Sequence, residues 1–250
     1  MASLHPFADG GYSFLRGGFP YSQGVVALPG FAIERVRFAT PLPLRAGFER
    51  IEKHLKAIKR PLTALCAAEL RSPRPFTFGG FAEFNKGYVA VLKKWGLYRD
   101  DLNPVARSNV APEFRPPKEP VFYAFCYTVP AKKDGGGFVV AGSGEWPEGG
   151  RFPEDIVARG DTSAAGMRLK ADFVVGKMET RLAGLRCRWG EATVTQLYTV
   201  YDPGREILTI QRAIQPSSLT WHHCRPPIEG LDYEMDVRGV GLERVLQHIL

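Results

Sequence analysis

The run Ala131-Lys132-Lys133-Asp134-Gly135-Gly136-Gly137 constrains the fold more than any other stretch of this chain. Clustered glycines with solvated charges, set between two strand-like runs, mark a joint, and this one divides the 250 residues nearly in half. Before it, Ile33–Phe38 alternates as a strand, and Leu44, Phe48, Ile51, Leu55 and Ile58 recur at helical spacing. Leu62–Leu70 reads as the next strand, Phe81, Phe84, Tyr88, Val91 and Trp95 as a second amphipathic helix, and Val121–Val129 as a closing strand. The order is β-α-β-α-β-β. After the joint the pattern returns in weaker form. Phe138–Ala141 is a strand, Met167, Ala171, Val174, Met178, Leu182 and Leu185 trace a helix, and Ala192–Tyr201 is a strand. A reduced second helix falls at Gly204–Ile214, and Leu219–Cys224 with Tyr233–Val240 form the final pair. The expectation is an internal duplication, with domains at 1–131 and 137–250.

Bulk properties narrow the function classes. At 44% hydrophobic and 24% charged residues the chain is ordinary globular protein. No apolar run approaches the roughly 20 residues needed to span a bilayer, and the N-terminal residues lack the basic-then-apolar order of a signal peptide. The expected location is cytoplasmic, without membrane association. Cys66, Cys126, Cys187 and Cys224 are too widely spaced for a zinc site or a compact disulfide framework and read as buried thiols. The net charge is +7, but the basic residues are scattered singly among acids, which argues against a nucleic-acid partner and for a field that draws in small anions. His222-His223-Cys224 brings no metal expectation, because adjacent strand residues face opposite ways.

The strongest chemical signal is Pro104-Val105-Ala106-Arg107-Ser108-Asn109-Val110, a guanidinium beside small polar side chains in a strand-like run. A planar, always-charged fork held on a rigid element suits the orientation of a carboxylate. Upstream lie Phe81-Ala82-Glu83-Phe84-Asn85-Lys86-Gly87-Tyr88 and Pro20-Tyr21-Ser22-Gln23-Gly24. In this order the segments resemble those of the Rid (YjgF) superfamily: Pro-Tyr-x-Gln-Gly/Ala, Phe-x-x-x-Asn-x-x-Tyr and Pro-Ala-Arg-Ser. The last is one residue longer here, and Phe38-Ala39-Thr40-Pro41 replaces the early Ser-Gly-Gln turn, which Gly142-Ser143-Gly144 matches in the second half.

The resemblance implies an α+β fold of two tandem Rid-like, chorismate-mutase-like domains, each a mixed sheet covered by two helices on one face. It also implies association through the open sheet faces, as a homo-oligomer with a trimer favoured. The implied reaction is hydrolysis of an enamine or imine to a ketone and ammonia, with no cofactor. In that family the arginine grips the substrate carboxylate, the N-terminal tyrosine lines the pocket, and a glutamate on the last strand handles the attacking water. Those roles fall on Arg107, Tyr21 and Glu234. In the first half Tyr123 stands where the acid is expected, and in the second no Arg-Ser precedes Trp221. Each half lacks what the other holds, as a composite site would require; the alternative is a solvent-facing Glu234.

Further substrate contacts are expected from Arg71 and Glu69, at a strand end feeding a proline-rich loop, with Arg71 either holding a second carboxylate or pairing with Glu69 at the surface. Ser108 and Asn109 flank Arg107, and strand alternation lets at most one share its face. One of His222 and His223, with His223 preferred, is a candidate acid-base or substrate group. The segments ALCAAELRSPRPFT (64–77) and NPVARSNV (103–110) look most like the branch that includes 2-aminomuconate and 2-amino-5-chloromuconate deaminases of aromatic catabolism. The expected substrate is therefore a small unsaturated amino dicarboxylate. The alternatives are a chorismatase-like hydrolase that releases pyruvate and a ligand-binding protein without catalysis.

Overall fold

The computed structural model describes residues 3–131, 135–203 and 218–247. Three short strands open the chain: β1 (Leu4–Phe7), β2 (Tyr12–Leu15) and β3 (Gly24–Ala27). Then follow β4 (Phe31–Pro43), α1 (Leu44–Ala57), β5 (Leu65–Arg71), α2 (Phe78–Lys94), β6 (Ala106–Pro112) and β7 (Val121–Pro130). Beyond the joint come β8 (Phe138–Gly144), α3 (Ala164–Leu185), β9 (Val194–Tyr198), β10 (Ser218–His222), β11 (Cys224–Arg225), β12 (Glu234–Gly239) and β13 (Leu242–Leu246). The expected helix at Gly204–Ile214 lies outside the described residues, as does the middle of the joint, 132–134.

The architecture is α+β with two mixed sheets, ordered β11-β6-β5-β7-β4-β13 and β1-β2-β3-β8-β12-β9-β10. Their four central strands share one pattern. β6-β5-β7-β4 has β5 and β6 parallel and the other pairs antiparallel, and β10-β9-β12-β8 repeats this with β9 and β10 parallel. The outer strands cross the joint: β1–β3 extend the second sheet through β3 and β8, while β13 pairs with β4 and β11 with β6. The boundary at 131–137 thus separates two sets of central strands, but neither sheet is completed by one half alone. The physical reason is that β4 and β8 would otherwise be bare edges. The stretch expected as one strand, Leu219–Cys224, breaks at His223, and its two pieces pair in different sheets.

Strand alternation sorts the side chains into layers. Val36, Phe38, Leu70, Phe122 and Phe125 pack on Ile51 and Leu55 of α1 and Tyr88 and Leu92 of α2. Met235 and Val237 of β12 pack on Met167, Val174, Met178 and Leu182 of α3. Each such fully buried side chain contributes roughly 1.5–3 kcal/mol. The opposite faces of the two sheets meet each other, with Tyr12, Phe14, Val25 and Ala141 packed against Ile33, Cys66, Ala67 and Cys126. The open faces expected to need another chain are here partly covered from within this one.

This inter-sheet layer is also polar. The Arg35 guanidinium is bidentate on Glu69, at 2.6 and 2.8 Å, and reaches Glu243 at 3.1 Å. Asp236 accepts from Tyr198 Oη at 2.9 Å and from Gln196 Nε2 at 3.0 Å. Glu234, Asp236 and Arg238 alternate along β12 toward this layer, opposite Met235 and Val237, so the strand that carries the candidate acid turns it away from α3 and toward the first sheet.

Candidate active site

A cavity of about 880 Å³ opens where the two sheets meet, and Arg107 and Glu234 line it together. Both belong to this one chain. Arg107 comes from β6 of the first sheet and Glu234 from the start of β12 in the second.

The Arg107 side chain is anchored at one nitrogen only. Its Nη2 donates to Asn85 Oδ1 of α2 at 2.7 Å, while Nε and Nη1 are buried with no partner among the described residues. Rings surround it, with Tyr88 and Tyr21 centroids at 4.8 and 5.0 Å from Cζ and Phe81 and Phe84 at 5.5 and 5.8 Å. Such faces hold a guanidinium in one plane by cation–π attraction. Burial lowers its pKa, with Tyr88, Tyr21 and Glu234 opposing, yet a guanidinium stays charged. Two buried N–H donors without a partner among the described residues, set in an aromatic slot, have the geometry suited to a carboxylate. Asn109 lies on the same strand face two residues on. Its Oδ1 accepts from Ser72 Oγ at 3.0 Å, which leaves a buried Nδ2 donor without a partner among the described residues at the cavity wall.

Glu234 is 3% exposed. Burial, then the neighbouring Asp236, pushes its pKa well above the usual carboxylate range against the pull of Arg181; Glu145 adds to the rise and Arg71 opposes it. A carboxyl group whose pKa is raised in this way is suited to donate a proton and take one back. Its seat depends on Gly142 of β8, where any Cβ would overlap Glu234 Oε1.

Tyr21 and Asn109 also line the cavity, whereas the other expected contacts do not. Glu69 is consumed by Arg35 in the inter-sheet layer. Arg71 is buried, its guanidinium 4.2 Å from the Tyr123 ring centroid and 3.9 Å from Glu69, so it is neither a surface residue nor a cavity cation. Ser108 faces the opposite way from Arg107 and hydrogen bonds Asp236. His223 is exposed, with Nε2 3.2 Å from Val200 O, because the chain breaks there between two sheets. His222 stacks on Tyr198 at 5.2 Å and stays neutral, its pKa brought down to about 4 by burial and by Arg71.

Residues not singled out from the sequence complete the cavity. Arg181 of α3 donates through Nη1 to the carbonyls of Ala141, at 2.8 Å, and Gly142, and through Nη2 to Glu148. Gln23 Nε2 donates to the other Glu148 oxygen at 2.7 Å. The second half therefore does contribute a cation, from its helix rather than from the strand equivalent to β6. The signal was present: Arg181 falls on the stripe of Val174, Met178, Leu182 and Leu185, where a charge is out of place unless it has a buried partner.

The profile of the family described as 2-aminomuconate deaminase CnbZ matches residues 4–244. The chain belongs to that family. It is 47% identical over 248 residues to a protein of Comamonas testosteroni named 2-amino-5-chloromuconate deaminase, with 96% of this chain and 98% of that one covered. Among solved structures, a chorismatase aligns with 93% of this chain and 78% of its own at 11% identity and a TM-score of 0.49. The YjgF gene product of E. coli aligns with 42% of this chain and 80% of its own at 14% identity and a TM-score of 0.28. No helix among the described residues is long and apolar enough to cross a membrane.

Proposed function

We propose that the chain is a hydrolytic deaminase of a 2-aminomuconate-type enamine and that the cavity between the sheets is its active site. The observation that carries the reading is the meeting, in one cavity, of an arginine with two donors unpartnered among the described residues and a carboxyl group whose surroundings favour its protonated form. Family membership supports the substrate class.

Arg107 takes the carboxylate next to the amino-bearing carbon in its Nε/Nη1 fork, with Asn109 Nδ2 as an additional donor. Glu234 gives its proton to the neighbouring alkene carbon, so that a C–H bond forms and the enamine becomes an iminium. The Glu234 carboxylate then takes a proton as water adds to the iminium carbon. It returns that proton to nitrogen, the C–N bond breaks, and ammonia leaves. The hydroxyl proton of the resulting oxocarbonium comes back to Glu234, restoring the acid and releasing the keto acid. Each proton transfer uses one positioned carboxyl group, so no further acid is required.

The test is direct. Purified chain supplied with 2-aminomuconate should bleach its conjugated absorbance and release one ammonia per substrate; an unchanged spectrum with no ammonia would refute the reading, and pyruvate release from chorismate would replace it. Tandem Rid-like domains meeting at 131–137 and a homotrimer are parts of the same proposal supported by the resemblance in sequence, and a cytoplasmic location is proposed with them. Sedimentation and cell fractionation check the last two.

A further inference from the structure

Beside the cavity lies a cluster of charges that the chemistry above does not use. Lys170 of α3 and Glu145, the residue after β8, are both wholly buried. Lys170 Nζ donates to Glu145 Oε1 at 3.2 Å and to Asp232 Oδ2 at 2.7 Å. Glu145 also accepts two backbone donors, Asp232 N on Oε1 at 2.6 Å and Tyr233 N on Oε2 at 3.1 Å. A buried ion pair is a weak source of stability, because desolvation cancels most of its attraction; what it supplies is a fixed geometry. Here the fixed element is the pair of residues immediately before Glu234, and Gly144, which precedes Glu145, is the strand partner of Glu234 itself.

We propose that Glu145, clamped by Lys170, is a positioning residue for Glu234: it pins the start of β12 and sets a second negative charge beside the proton-carrying carboxyl group. The pinning explains how a residue at the first position of a strand, where chains fray, can be held in the notch over Gly142. The charge acts with the other groups that face Glu234: Asp236 on its own strand, Arg181 from α3, Arg71 from β5, Arg107 from β6 and Tyr21 ahead of β3. Asp236 and Glu145 favour the protonated carboxyl, and Arg181 and Arg71 oppose it.

The inference rests on the role given to Glu234 and is tested by separating reach from charge. Glu145→Asp keeps the charge but withdraws the acceptor from the two N–H groups, so kcat should fall about 10- to 100-fold, the scale of a misplaced catalytic group, with KM and the pH profile unmoved. Glu145→Gln removes the charge, so the alkaline limb of kcat, set by loss of the Glu234 proton, should also move to lower pH by about one unit. A lowered kcat with an unmoved limb in the Gln variant would reduce Glu145 to a structural role, and wild-type kcat in both variants would overturn the proposal. If Glu145→Gln does not fold, Asp232→Asn removes a negative charge from the same cluster while leaving both N–H acceptors, and an unmoved limb there counts equally against the idea. Wild-type activity in Glu234→Gln would instead sink the proposed function itself.

Discussion

Replacing Arg107 with lysine separates orientation from charge. In the wild type Nη2 is anchored on Asn85, and Nε and Nη1 have no partner among the described residues and are the donors proposed to meet the substrate. Each charge-assisted hydrogen bond is worth about 1.5–3 kcal/mol, and lysine keeps the charge and one such bond while losing the second and the Asn85 anchor. The loss of transition-state stabilisation should therefore be about 2–4 kcal/mol, or about 30- to 1,000-fold in kcat/KM. Stability should fall by only about 1 kcal/mol, because the surrounding rings still receive a cation and Asn85 Oδ1 alone loses its partner. Initial rates of ammonia release at several substrate concentrations, with a thermal melt on each preparation, measure both. An Arg107→Lys enzyme with wild-type kcat/KM would remove Arg107 from the site, and a collapsed melting temperature would show that the aromatic slot depends on the guanidinium for folding.

Glu234→Gln should abolish turnover while leaving substrate binding intact by calorimetry, because the amide keeps its shape but exchanges no proton at neutral pH. Wild-type activity should fall as pH rises through the elevated Glu234 pKa, since the protonated form starts the reaction; a rate that climbs across that range contradicts the assignment. Mixing inactive Arg107→Ala and Glu234→Gln chains should restore nothing, because one chain supplies both residues to one cavity, and recovered activity would mean that the site forms between chains. Gly142→Ala should lower kcat, since the new methyl group would overlap Glu234 Oε1 and crowd the Ser108 backbone, displacing the carboxyl group from its seat; equal kcat would deny that notch a role. Glu69→Gln should destabilise the protein, by less than the ~3–5 kcal/mol of a fully stranded buried charge because Arg35 keeps Glu243. Burial alone would raise the Glu69 carboxyl, but Arg35 outweighs it and brings the pKa from 4.5 to about 2. That stabilisation is present above the higher value and is lost as pH falls toward the lower, so the variant should lack this acid dependence in melts.

The sequence by itself determined the repeated element pattern and singled out the two residues proposed above to carry the chemistry. Helical stripes such as Phe81, Phe84 and Tyr88 and alternating runs such as Ile33–Phe38 are local statements, written in side-chain period and readable without a partner. Arg107 and Glu234 were legible because their immediate wording resembles that of a family. Only the tertiary structure decided which charges are available. Glu69 and Arg71 read as cleft residues, but alternation turns their side chains into the inter-sheet layer, where Arg35 and Tyr123 engage them. Arg181 and Lys170 went unremarked on an apolar helix, because the carboxylates that pair with them, Glu148 and Glu145, lie 33 and 25 residues away in sequence, beyond the end of β8. The exchange of strands across the joint was equally hidden, because an unpaired edge is satisfied by whichever strand the fold brings near. Whether a buried charge is a ligand receptor or a structural tie depends on which of its hydrogen bonds remain unmade, and that is a property of the assembled molecule.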